Sequence, residues 1–331
     1  MKTLTSCASG SPARLLSVAG YRGSRVVSNH EFCQWIDSSD EWIQQRTGIT
    51  ERRWATPDET VLQMAAAASR DAVQRAGISL DNIDALIVAT VSHQQQSPAL
   101  ATALAAALGL SDVPAFDISA ACAGFCYLIE LARSLVASGA ARHVLIAASE
   151  RLSDMIDITD RSTAFLFGDG AGAAVVAAAD TPGISPAVWG TTGTNVAAVG
   201  IEPWPDAVAK RQAFPHIVMD GAKVFRWAAT EVAAKALEAL VAANITVADL
   251  GVFIGHQANS RIIDAMLRRL ALPDHVAVSR DIRIQGNTSA ASIPIAMSAM
   301  LEDGSAHCGQ LALLVGFGAG LSYATQVVTM P

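Results

Sequence analysis

Long apolar runs are missing from this chain of 331 residues, although 51% of it is hydrophobic. The longest uninterrupted run of apolar residues and glycine, Leu311–Leu321, has 11 residues, and a membrane-spanning helix needs about 20. The opening MKTLTSCASGSPARLLSVAG contains no continuous apolar region of the kind that directs secretion. These absences predict a cytoplasmic chain with no membrane contact, whose apolar content is core. Cysteine is scarce: Cys7, Cys33, Cys122, Cys126 and Cys308 are too few and too scattered for a disulfide framework. No CxxC occurs and no two histidines stand at ligand spacing, so no metal site is expected. Basic residues are outnumbered, giving a net charge of −7. That argues against a nucleic-acid partner, and any anion would have to be met by a local basic patch.

What is present is a repeat. Residues 62–92 read as a helix, the loop ISLDNID and the apolar strand ALIVATV; residues 227–257 read as a helix, the loop ITVADLG and the strand VFIGH. After Cys122 come a helix, SGAA and the strand HVLIAAS; after Asn287 come a helix, DGSA and the strand LALLVGF. Short fully apolar strands alternating with amphipathic helices imply mostly parallel sheets covered by helices. The chain is therefore expected to form two similar α/β halves, 1–182 and 183–331, separated near Pro182 and Gly183 in AADTPGISP. Such halves meet about a pseudo-twofold axis. His256 ends one second-half strand. Asn287 begins a second-half helix, at the place expected to answer to Cys122, so the three residues are expected to share a pocket.

DISAACAGFCYLIELA, residues 117–132, places Cys122 at a strand-to-helix corner among alanine and glycine. A free cysteine in such company is either a small buried hydrophobe or a nucleophile. A thiolate there would be stabilised by the free N–H groups and the dipole of the helix end. A neutral imidazole and a carboxamide can both donate to one carbonyl oxygen, which suits stabilisation of an enolate. Together these groups suggest acyl transfer to sulfur followed by carbon–carbon bond formation.

DISAACAGF, GHQANSRII and GNTSAASIP resemble the active-site motifs of the β-ketoacyl-[acyl carrier protein] synthase III family. SSDEWIQQRTGITERR and DITDRSTAFLFGDGAGAAVV are similar to the same family, and the resemblance spans nearly the whole chain. It implies a thiolase-like fold of five αβαβα layers with a duplicated core, and a homodimer. By this resemblance Cys122 would accept an acyl group from acyl-CoA, which is a substrate rather than a cofactor. His256 and Asn287 would hold the carbonyl of malonyl-acyl carrier protein while it loses carbon dioxide. Backbone N–H groups of Cys122 and Ala319 would form the oxyanion hole.

Further sites follow from the resemblance. Trp42 and Arg161 would sandwich the adenine of CoA, with Arg46 on the same helical face as Trp42 and Phe225 along the pantetheine arm. Ala222 departs from the family pattern, where asparagine often stands, and puts one pantetheine hydrogen bond in doubt. Ser97 and Phe125 would bound the acyl pocket, Ser97 by reaching across the dimer. A basic patch of Lys223, Arg226, Arg261, Arg268 and Arg269 would dock the acidic carrier. The primer could belong to fatty-acid or to polyketide initiation. An alternative reading is an acyltransferase that passes the acyl group to an alcohol or amine, though His256 and Asn287 favour condensation. Thiolase activity is disfavoured because GFGAGLSYA lacks a second cysteine, and a non-catalytic carrier-binding subunit would not need all three polar groups. GFGAG and FGDGAGAA look like dinucleotide loops but lack the spacing G-x-G-x-x-G, and are expected to be tight turns between strands.

Overall fold

In the computed structural model, which describes residues 10–331, two five-stranded sheets carry the fold. Cys7 and the first residues of the opening stretch lie outside the described residues. The first sheet runs in the order Ala13–Arg22, Asp169–Ala178, His143–Arg151, Ala85–Ala89, Ala115–Ile118. The second runs Val188–Thr191, Ser322–Thr329, Leu311–Gly318, Val252–Gly255, Ala277–Val278. In each, the first two pairings are antiparallel and the next two parallel. The duplication is therefore present strand for strand.

The alternation of side chains along each strand builds the layers. Ile87 and Ala89 face inward, where Ile146 and Val176 of the first sheet and Ile254, Leu314 and Val328 of the second enclose the helices Gly124–Ala137 and Ser292–Glu302. Leu86 and Val88 face outward onto Met64, Ala68 and Leu104 of the helices Val61–Arg75 and Leu100–Leu108. On the other side, Phe253, Leu313 and Val315 face Ala236, Leu240, Ile263 and Met266 of Ala233–Ala242 and Ser260–Leu270. Helix, sheet, helix pair, sheet, helix: the five layers of a thiolase-like fold. No helix among the described residues is long and apolar enough to cross a membrane.

The structure corrects the expected internal equivalence. The short turn Ala121–Ala123 is matched by Ser289–Ala291, and the helix after each begins at the next residue. Ala121 and Ser289 share the left-handed backbone, with φ of 44° and 48°. Cys122 therefore answers to Ala290, and Asn287 to Ser119. The two polar residues do not mark equivalent positions, because the backbones match through the turns. Of the glycine motifs, GFGAG enters a tight turn between strands at Ala319–Leu321 as expected, whereas FGDGAGAA is corrected. Gly170 and Gly172 lie inside the strand Asp169–Ala178, and Gly316 and Gly318 inside Leu311–Gly318. They answer a demand for close approach, since a Cβ on Gly172 would fall 2.5 Å from Pro294 of the central helix.

Candidate active site

Cys122 sits where the edge strand Ala115–Ile118 gives way, through Ala120 and Ala121, to the central helix Gly124–Ala137. The corner is crowded. A Cβ on Gly124 would stand 2.8 Å from Ala89 Cβ and 3.1 Å from Ala290 Cβ. A Cβ on Gly318 would stand 2.7 Å from Cys122 Cβ and 2.8 Å from its backbone N. Small residues on three segments thus let Cys122 N–H and the Gly318–Ala319 backbone converge, and Ala319 lines the same cavity as Cys122.

That cavity, of about 380 Å³, is lined by Cys122, His256, Asn287, Ser289 and Phe317 among others. His256 follows the strand Val252–Gly255 directly, and its N–H donates to Val315 O at 2.8 Å. Its ring packs edge-on against Phe317, centroids 5.2 Å apart. Burial pushes the imidazole down to about 3, so it is neutral at physiological pH. Asn287 is held by backbone bonds to Leu166 O and from Gly168 N, of 2.8 and 2.9 Å. Its Oδ1 accepts Ser289 N–H at 2.8 Å. Among the described residues no hydrogen bond uses Asn287 Nδ2 or His256 Nε2, so two donors' positions are free to serve a ligand.

Cys122 keeps partial exposure because it faces the cavity, yet protein surrounds it. Burial pushes its thiol up to about 11, with the nearby Glu150 adding to this. Glu150 is wholly buried. It accepts from Ser92 Oγ at 2.6 Å and from Ser92 N and Val91 N at 3.1 Å, and burial raises it to about 7. Desolvation thus opposes the thiolate at this helix end.

Comparison with known proteins follows the same residues. The 3-oxoacyl-[acyl-carrier-protein] synthase III model matches residues 116–193, and the C-terminal model of that synthase matches 240–330. A β-ketoacyl-[acyl-carrier-protein] synthase III of Streptomyces glaucescens is 51% identical over 327 residues, 98% of each chain. The chain belongs to the synthase III family. A mycobacterial β-ketoacyl-[acyl-carrier-protein] synthase III of Mycobacterium avium is 47% identical, covering 100% of this chain and 99% of its own. The crystal structure of the priming β-ketosynthase from the R1128 polyketide biosynthetic pathway superposes with a TM-score of 0.96 at 47% identity, covering 100% and 99% of the two chains.

Around this centre the synthase III chain distributes the other expected residues unevenly. Trp42, Arg46 and Arg161 come together, each guanidinium carbon 5.4 Å from the Trp42 ring centroid. Ser39 caps the helix of Trp42 and Arg46, Asp40–Thr47, by accepting from Trp42 N at 3.2 Å. Arg161 rests on the indole itself. Phe225 is half-buried beneath Arg261, whose guanidinium carbon is 5.8 Å from its centroid. The adjacent Val224 lines the cavity, so Lys223, Arg226 and Arg261, all exposed, put positive charge beside one wall. Arg268 and Arg269 are exposed at the far end of the helix Ser260–Leu270, about 10 Å beyond Arg261 at the helical rise. Ala222 is exposed.

Phe125 is a correction. It was expected in the acyl pocket, but its side chain is fully buried in the core between the sheets with Leu128 and Ile129 and does not line the cavity. The helix begins at Gly124, so residue 125 turns into the central layer. Ser97 is exposed on the loop before Leu100–Leu108 and is not part of the cavity wall of its own chain. Sequence reasoning also missed contributors. Ser289 and Ser292 lie in the GNTSAASIP stretch but carried no signal separating them from helix-start serines. Val199, Ile201, Ile217 and Met219 wall the cavity from a two-stranded antiparallel ribbon, Val199–Ile201 with Ile217–Met219, which answers to the ribbon Arg25–Ser28 with Glu51–Trp54 of the first half.

Proposed function

We propose that Cys122 is the nucleophile and that His256 and Asn287 are the enolate-binding pair of this synthase III-type condensing enzyme of fatty-acid or polyketide initiation. The observation that carries the assignment is convergence. One thiol and two otherwise unused side-chain nitrogens open onto a single cavity whose remaining lining is largely apolar. Cys122 sulfur attacks the thioester carbonyl of acyl-CoA, CoA leaves as the thiol with the cysteine proton, and the tetrahedral oxyanion rests on Cys122 and Ala319 N–H groups. The malonyl thioester of the carrier then binds with its carbonyl oxygen between His256 Nε2 and Asn287 Nδ2. Loss of carbon dioxide leaves an enolate that these donors stabilise. Its carbon attacks the acyl-Cys122 carbonyl, forming the carbon–carbon bond and releasing the cysteine.

In this reading acyl-CoA is a substrate, no cofactor takes part and the enzyme works in the cytoplasm. Trp42, Arg46, Arg161 and Phe225 hold CoA and its pantetheine arm. The patch from Lys223 to Arg269 docks the malonyl carrier, and a homodimer lets Ser97 reach the partner's acyl pocket. The unpaired outer edge of Ala115–Ile118, with Phe116 exposed, supports a dimer that pairs this edge. The test is product analysis with acyl-CoA and malonyl carrier. A β-ketoacyl carrier supports condensation, whereas acyl transfer to an added alcohol or amine without loss of carbon dioxide would favour the acyltransferase reading.

A further inference from the structure

The nitrogen of His256 that faces away from the cavity has one partner, and that partner has almost no freedom. Ser292 Oγ lies 2.7 Å from His256 Nδ1. The same oxygen accepts the backbone N–H of Gln257 at 3.3 Å. Ser292 is 1% exposed, so no bulk water reaches it. A hydroxyl has one proton to give and two lone pairs to offer. If Nδ1 carried the imidazole proton, Ser292 would accept from both Nδ1 and Gln257 N, and its own hydroxyl proton would be buried with nothing to receive it. Among the described residues, no other hydrogen bond involves Ser292 Oγ. A stranded buried donor costs about 1–3 kcal/mol, so the opposite arrangement wins: Ser292 O–H donates to Nδ1.

We infer that Ser292 is a positioning residue that fixes His256 as the Nε2–H tautomer, with its single ring proton aimed at the cavity. This inference deepens the enolate-binding role proposed for His256 and rests on it. The imidazole is neutral because of its burial, so it has one proton, and which nitrogen bears it decides whether His256 donates to the substrate oxygen or repels it. The surroundings hold the whole unit still. Gln257 Nε2 donates to Gly255 O at 2.7 Å, and Gln257 Oε1 accepts Ile282 N–H at 3.0 Å. Gln257 N–H is thereby kept pointing at Ser292, and Ser292 opens the central helix Ser292–Glu302. Strand end, loop and central helix therefore fix one proton.

The test uses the full chain labelled with ¹⁵N-histidine, the His256 signals being assigned by their absence in His256→Ala. Wild type should show Nδ1 as an unprotonated acceptor and Nε2 as the protonated nitrogen over the neutral pH range. Ser292→Ala should replace this single species by a mixture. It should also lower malonyl-carrier decarboxylation at least about tenfold, with acylation of Cys122 by acyl-CoA unchanged. Ser292→Thr, which keeps the hydroxyl, should restore both the single tautomer and the rate. A wild-type spectrum with the proton on Nδ1 overturns the inference without any variant having to fold, and so does an unaltered single Nε2–H species in Ser292→Ala. If the tautomer mixes as expected but decarboxylation is undiminished, the inference about Ser292 stands and the enolate-binding role of His256 falls.

Discussion

Three side chains share the cavity, but their surroundings give them different work. Cys122 supplies the thiol proposed to take the acyl group, whereas His256 and Asn287 are proposed to donate hydrogen bonds from their unused nitrogens. Removing either donor by His256→Ala or Asn287→Ala should depress condensation about 10²–10³-fold, the usual effect of losing one oxyanion-type donor. Mass spectrometry should still find the acyl adduct on Cys122, and equal loss of adduct and product would contradict the division. Because burial pushes the Cys122 thiol up to about 11, its thiolate fraction should climb steadily with pH. Acyl-enzyme formation, followed by quenched-flow mass analysis, should therefore accelerate from pH 7 to pH 9.5; a plateau above pH 8 would show that the helix end outweighs burial. His256 links stability to pH in the acid range. The unfolded histidine takes a proton near its usual value of about 6.5, while the folded site resists protonation down to about 3. Stability is thus fully present above pH 6.5 and is lost as pH falls toward 3. His256→Gln should flatten the decline in thermal midpoint across that interval relative to wild type, and an unchanged slope would count against a buried neutral imidazole.

At the scale of elements, close approach makes the site. The strand Leu311–Gly318 meets the Cys122 corner only because residue 318 has no side chain. Gly318→Ala introduces a methyl within 2.8 Å of Cys122 backbone N, where neither backbone can give. It should cut acylation by at least tenfold and cost about 1–3 kcal/mol of stability through overpacking, read by denaturant titration beside the acyl-adduct assay. Full acylation in that variant would mean the corner is looser than described. The helix Asp40–Thr47 is held in a comparable way, Asn259 Nδ2 donating to Arg46 O at 3.2 Å. Trp42→Ala should raise KM for acyl-CoA about tenfold, the scale of a desolvated cation–π contact, and leave the malonyl-carrier step untouched. How much of this was legible follows from what periodicity encodes. The apolar strands around Ile87 and Ile254 and the amphipathic helices declared the two halves, because period and length survive in sequence. Cys122, His256 and Asn287 were legible because their motifs are distinctive. Phe125 was misread because the residue after Gly124 turns on helical phase, which sequence spacing from Cys122 does not reveal. Ser292 went unseen because its role exists only where a strand end 36 residues earlier is folded against it. The cavity ribbon Val199–Ile201 with Ile217–Met219 went unseen because strands of 3 residues are too short to show a period.

For the whole molecule, an acidic chain of net charge −7 must recruit an acidic carrier through a local surface. Reversing Arg268 and Arg269 to glutamate should raise KM for the malonyl carrier, most strongly at low salt, and leave acyl-CoA loading unchanged. Equal KM values at low salt would remove these two residues from the docking surface. The exposed Ser97 can influence acyl size only across a dimer, so Ser97→Phe should suppress branched and medium-chain primers while sparing acetyl-CoA. An unchanged chain-length profile would release Ser97 from that role. The central claim, that one cavity first acylates Cys122 and then joins that acyl group to a decarboxylated malonyl unit, is tested most directly by a single intact-mass experiment. Protein is incubated with acyl-CoA, freed of excess reagent, and then given malonyl-acyl carrier protein. The account predicts one acyl mass on the peptide containing Cys122, which disappears on addition of the carrier as a β-ketoacyl carrier of matching mass appears. An adduct on Cys126, or on no cysteine, or an acyl-enzyme that persists when malonyl carrier is added, would contradict it.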